Sequence, residues 1–167
     1  MEFEKEERGW NEMPVNIDKE PKIIWVKNWK DIPGKYNDSS VVAHVDIKTN
    51  QIYAIEGKAT EADILHEIYH TKKTTRNKYD RKREYMNPAI YIREELEATK
   101  YAWDKSGKPK HILMRLRALY NDLCFRMGNI GTQNAIRIIG NELRFLHPPI
   151  EWLKDFQNLK SEANMRK

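Results

Sequence analysis

The chain has 167 residues, with 30 Lys or Arg against 25 Asp or Glu and a formal net charge of +5. Five Trp, eight Tyr and four Phe supply bulk for a core and argue against disorder, and the length suits one domain with a small appendage. The longest aliphatic or aromatic run, Ile23-Ile24-Trp25-Val26, falls far short of the roughly 20 residues of a helical membrane span. The opening MEFEKEERGW is acidic and lacks an apolar stretch, so no secretory signal is expected. A single cysteine, Cys124, can form neither an internal disulfide nor a cysteine-rich zinc site. A cytoplasmic location follows as the expectation, and the mild positive charge leans towards acidic partners.

Residues 1–20 are charged, include Pro14, and read as a flexible arm. Lys22 to Lys27 reads as a short strand with an almost continuously apolar centre. Asp31 to Ser40 is a loop, with Pro33-Gly34 and Asn37-Asp38-Ser39-Ser40 as its turn chemistry. Val41, Ala43, Val45 and Ile47 alternate with His44 and Asp46, the period-2 pattern of a half-buried strand. Lys48-Thr49-Asn50 turns the chain and Gln51 to Glu56 returns it, which predicts a β-hairpin. A helix is expected from Thr60 and a second over Pro88 to Trp103. Three more follow. Lys110 to Met127 carries a stripe of Leu113, Leu116, Leu119, Tyr120, Leu123 and Met127, with Gly128 placed as its cap. Thr132 to Leu146 and Pro149 to Leu159 complete the set, and these stripes read as ordinary packing surfaces. The fold class predicted is α+β, a small antiparallel hairpin sheet packed on one helix and followed by a largely helical C-terminal half. Its expected divisions are an arm at 1–20, a core at 21–106 and a helical extension at 107–167 packed on that core.

The informative segment is Thr60-Glu61-Ala62-Asp63-Ile64-Leu65-His66-Glu67-Ile68-Tyr69-His70. Thr60 and Asp63 have capping-box spacing, and an acidic first turn suits the helix macrodipole. His66 and His70 then lie one turn apart on one face, with Glu67 between them in angle and Ala62, Leu65, Ile68 and Tyr69 on the other side. This is H-E-x-x-H, in which two neutral imidazoles bind zinc and a glutamate stands beside the activated water. Random placement of five His and sixteen Glu yields the pattern about once in 70 chains of this length, so coincidence is a modest risk.

Two histidines need a third protein ligand. The spacing of a third histidine fails, because Lys73 and Arg76 occupy the positions that would carry Gly and His. Cys124 sits in an apolar stripe, where a lone cysteine packs. Three glutamates compete on the helix Pro88 to Trp103. Glu97 follows Arg93 by one turn and reads as a solvated ion-pair position, and Glu94 lies at the edge of the apolar stripe. Glu95 shares its face with Tyr91, Ile92, Ala98, Thr99 and Ala102, where a carboxylate is costly unless compensated. A metal ion compensates it, and so does a core Arg or Tyr; the metal reading of Glu95 is preferred.

His-Glu-Ile-Tyr-His, followed by Glu95-Leu96-Glu97-Ala98-Thr99-Lys100-Tyr101-Ala102, resembles the ImmA/IrrE family of small gluzincin metallopeptidases. That family typically shows H-E-x-G-H and then E-x-E-A-[ND]-x-F-A, with a β-hairpin ahead of the motif helix. The match covers residues 40–105. By position the resemblance implies Glu95 as third ligand. Tyr69 stands where the family has Gly, Thr99 where it has Asn or Asp, and Asp104 to Pro109 where it has Leu-Leu-x-Pro.

The function expected is that of a zinc-dependent endopeptidase, a hydrolase in which His66, His70 and Glu95 hold Zn2+ and Glu67 is the catalytic base for water attack. Tyr69, Tyr79, Tyr91 and His111 remain open as substrate or oxyanion contacts, with Tyr69 and Tyr91 foremost. The substrate would be a protein, and the resemblance points to DNA-bound regulators. Between the two helices, Thr71 to Glu84 carries Lys72, Lys73, Arg76, Lys78, Arg81, Lys82 and Arg83. Such a run is commonly a solvated loop, but beside an active-site helix it can grip an acidic protein or a nucleic acid. The rival reading is therefore a catalytically silent metal-binding module that uses this loop to bind a partner. His44 is expected on the polar side of its strand, and His111 and His147 at helix ends.

Overall fold

Ile52, Ala54 and Ile55 are buried because their strand is the middle one of three. The structure, a computed structural model, describes residues 20–33, 42–46, 49–74, 87–107, 111–127 and 130–165. The proposed arm, apart from Glu20, lies outside the described residues, as does Gly128. The chain divides into two units, Met1–Arg81 and Lys82–Lys167.

In the first unit, β1 (Lys22–Val26), β2 (Ala43–Asp46) and β3 (Gln51–Ile55) form one sheet in the order β1-β3-β2. β2 and β3 are the antiparallel hairpin that the alternation predicts, with Ala43 opposite Ala54 and Asp46 opposite Gln51. Asn50 ends the turn at φ 53, a left-handed conformation that asparagine tolerates better than most residues. β1 pairs with the far side of β3 in parallel, Ile24 beside Tyr53. Its apolar centre predicts burial, yet Ile23 and Trp25 are 38% and 48% exposed. β1 is an edge strand, and strand alternation sends Ile23 and Trp25 to one face while the half-buried Ile24 and Val26 share the other.

α1 (Glu61–Thr74) follows and packs on β2 and β3. Its start is the capping box read from sequence: the Asp63 carboxylate accepts from the Thr60 backbone N–H and hydroxyl, each at 2.8 Å, and the Asp63 N–H donates back to Thr60 Oγ1 at 3.3 Å. The helix runs on through Thr74, so the stretch expected to begin a loop at Thr71 is still helical for four residues. The Thr71 hydroxyl donates to the Ile68 carbonyl at 2.7 Å, and a lysine at 72 suits the negative end of the helix dipole.

The second unit holds α2 (Pro88–Ser106), α3 (Leu113–Asn121), α4 (Thr132–Phe145) and α5 (Ile150–Met165). Asn87 caps α2 by accepting the Ala89 N–H, Pro88 occupies its first turn, and the helix ends at Ser106, three residues beyond the expected end at Trp103, with Gly107 closing it at φ 69. α3 begins at Leu113, later than expected, and passes into a π-helical turn over Asp122–Arg126. α5 runs past Leu159 to Met165. The predicted stripes do pack: Leu116, Leu119, Leu123, Ile139, Leu143, Trp152 and Leu159 are all buried in one cluster. Full burial of each such aliphatic side chain is worth about 1.5–3 kcal/mol. An exposed pair such as Lys100–Asp104, at 2.9 Å, is worth about 1 kcal/mol or less, so the stripes hold this bundle and the surface charges do not.

The described chain is thus mixed α+β and mostly helical, with one three-stranded sheet among the described residues. Among them no helix is long and apolar enough to cross a membrane.

Candidate metal centre

The capping box fixes where α1 begins, and the helical pitch then fixes which side chains meet. His66 and His70, four residues apart, bring their Nε2 atoms to 3.1 Å, with ring centroids 4.8 Å apart and planes at 70°. His66 is buried, whereas His70, Glu67 and Tyr69 are half-buried. Two lone pairs at this separation repel, so one ring must donate N–H to the other unless a cation lies between them. Zinc–nitrogen bonds of about 2.0–2.1 Å would span a 3.1 Å pair at an angle near 100°, close to tetrahedral. The pair therefore fits a metal ion by spacing as well as by donor type. The Tyr69 ring stands edge-on to His70, 6.3 Å between centroids, so it packs on a candidate ligand.

Glu95 lies on α2 in the second unit, with its side chain 17% exposed. Glu94 is more deeply buried, at 4%, although its sequence position reads as the edge of the stripe. The reason is that α2 is covered over a wide arc: Ile92, Leu96, Ala98, Thr99 and Ala102 are buried along with it. Glu97 is half-buried. One oxygen of Glu95, Oε2, lies 4.0 Å from Nη1 of Arg115 on α3. Sequence reasoning allowed for a core arginine but could not name this one, because a pair twenty positions apart on two helices leaves no periodic signal. The hydroxyl of Thr99 donates to the Glu95 carbonyl at 2.8 Å, a local contact with the backbone.

Tyr91 donates its hydroxyl to Asp122 Oδ2 at 2.8 Å, tying α2 to the π-helical turn. Among the basic residues, Lys72 is exposed in the last turn of α1; Arg76, Lys78, Arg81, Lys82 and Arg83, and Tyr79 with them, lie outside the described residues. His44 is half-buried on β2 and faces Tyr53 across the hairpin. His111 and His147 stand at helix ends, His111 Nδ1 at 3.5 Å from Asp155 and His147 at φ 47 between α4 and α5. Comparison of the chain with protein-family models, with curated proteins and with solved structures finds no match.

Proposed function

We propose that this protein is a zinc-dependent metallopeptidase of the gluzincin kind, with His66, His70 and Glu95 as metal ligands and Glu67 as catalytic base. The observation that carries the reading is the His66–His70 pair, whose Nε2 atoms stand 3.1 Å apart on a capped helix. His66, His70 and Glu95 together are a group that could hold a metal ion. Two imidazoles and one carboxylate form the donor set of zinc hydrolases that leave one position for water. When bound, zinc supplies Lewis acidity and brings the pKa of its water to about 7. Glu67 lies next to His66 in sequence and is half-buried, so its carboxylate is partly shielded yet reachable by water. Its role is to accept a proton from the attacking water and hand it to the leaving amine of the peptide. The resemblance of the two motifs to the ImmA/IrrE family supports a protein substrate, and a DNA-bound regulator is the class it favours.

The test is cleavage of a proteome-derived peptide library by the zinc-loaded chain, read by mass spectrometry of new termini. Wild type should produce them, and Glu67→Gln should bind zinc and fold normally while losing about 10²–10⁴-fold in rate. Normal cleavage by Glu67→Gln would overturn the mechanism. Zinc binding with no cleavage by wild type would point instead to the silent module that grips a partner through its basic residues.

A further inference from the structure

We propose that the outward face of α4 is a docking surface for double-stranded DNA, which this helix enters through the major groove. The face follows from the helical period. Gln133, Asn134, Arg137, Asn141 and Arg144 fall within an arc of about 100°, and all five are exposed. Ala135, Ile139 and Leu143 lie on the opposite side, buried in the apolar cluster. None of the five outward side chains makes a hydrogen bond or an ion pair among the described residues. Other arginines of the same unit are engaged by carboxylates, Arg93 by Glu142 and Arg117 by Glu162. Glu142 is the one acidic residue of α4, and it is buried, so no negative charge interrupts the outward stripe.

The chemistry of the stripe selects the partner. Two guanidinium groups with no anion beside them suit a polyanion. Asn and Gln match the N6 and N7 edge of adenine, and Arg matches the O6 and N7 edge of guanine, each in two-pronged fashion. A helix about 10–12 Å across fits the B-form major groove, about 12 Å wide, whereas the deep, narrow groove of A-form RNA excludes it. A membrane surface does not suit, because the apolar face that would enter it is already buried in the core. α3 and its π-helical turn end at Arg126 and α4 begins at Thr132. α4 is thus the second helix of a closely connected pair, the one that lies in the groove when such pairs bind DNA. Gln133, Asn134 and Arg137, in its N-terminal half, then read base edges, and Arg144 at the far end meets a phosphate. No residue of this face belongs to the candidate metal site, so the inference is independent of that reading.

The experiment selects bound duplexes from a random-sequence DNA pool with the full chain, then titrates the enriched duplex by fluorescence anisotropy across a salt series. Wild type should enrich a common sequence and bind it less tightly as salt rises. Arg137→Gln should weaken binding of the enriched duplex about 10–100-fold and that of a random duplex far less. Arg137→Lys should lose the same selectivity while keeping the salt slope, because a point charge does not reproduce the planar fork. Arg144→Gln should weaken both duplexes alike and lower the salt slope by about one. Failure of wild type to enrich or bind any duplex would overturn the inference. So would binding that survives Arg137→Gln with Arg144→Gln but is lost when Arg76, Lys78, Arg81 and Lys82 are neutralised. A polyglutamate chain bound as tightly as the enriched duplex would mark a surface for acidic proteins and overturn it too. Should a glutamine variant fail to fold, unchanged selectivity in Arg137→Lys would be the overturning result.

Discussion

His66 and His70 hold their Nε2 atoms 3.1 Å apart, a separation set by one turn of α1. Two imidazole nitrogens so close suit a shared cation, and without one a ring donates N–H to its neighbour. Zinc that binds only the native chain must stabilise it, by about 2.7 kcal/mol at a hundredfold excess over Kd. Added zinc should therefore raise the unfolding temperature of wild type and leave that of His66→Ala unmoved. An equal rise in both would show that the ion binds somewhere else.

The Thr60–Asp63 capping box should matter to the site as well as to the helix. Asp63→Ala removes the acceptor of two hydrogen bonds at 2.8 Å and should cost about 0.5–2 kcal/mol, seen in chemical unfolding. Circular dichroism should show the loss of helix, and zinc affinity should fall, because both histidines are placed by that helix. A variant with wild-type stability would mean that packing on β2 and β3 alone sets where α1 starts.

How far the sequence revealed this molecule depends on the kind of signal. The hairpin and the start of α1 were readable because each is written within a few residues: alternation over Ala43 to Asp46, and Thr60 with Asp63. The stripes of α3, α4 and α5 were readable because a helical period repeats over several turns. The exposure of Trp25 was not readable, since nothing local says that β1 pairs in parallel at the edge of the sheet. The burial of Glu94 was missed for a similar reason: the width of the buried arc on α2 depends on tertiary packing that the local pattern does not name. Within the candidate site, H-E-x-x-H is a local pattern and was found. Arg115 beside Glu95, and Asp122 beneath the Tyr91 hydroxyl, are long-range partners that composition and spacing do not encode.

Arg93 and Glu142 give a second stability test. Their two hydrogen bonds hold the Arg93 guanidinium above its ordinary range, chiefly through the bond to Glu142 itself. Glu142 is 7% exposed and Arg93 46%, so the two truncations should differ. Arg93→Met strands a buried carboxylate and should cost about 1–3 kcal/mol. The pair Arg93→Met with Glu142→Leu should cost less than Arg93→Met alone, because no buried charge is left behind. Urea unfolding of the three variants measures this, and a double variant weaker than Arg93→Met would contradict it.

Gly140 tests the packing of α4 on α5. A Cβ built there would lie 2.7 Å from Cζ and 3.0 Å from Cε1 of Phe156, a ring only 4% exposed and unable to swing into solvent. Overpacking of this kind costs about 1–3 kcal/mol, against a gain of about 1 kcal/mol from the better helix propensity of alanine. Gly140→Ala should therefore destabilise the chain on balance, and Phe156→Leu in the same background should restore part of the loss. A stabilised Gly140→Ala would show that the two helices are less closely packed at this point.

The central claim is that His66, His70 and Glu95 hold one zinc ion, and the direct measurement is metal content per chain after zinc loading and desalting. Wild type should retain close to one zinc, while His66→Ala, His70→Ala and Glu95→Ala should each lose it and Glu97→Ala should keep it. Zinc lost from Glu97→Ala but kept by Glu95→Ala would contradict the ligand assignment, and a wild-type chain that retains none would contradict the metal site itself.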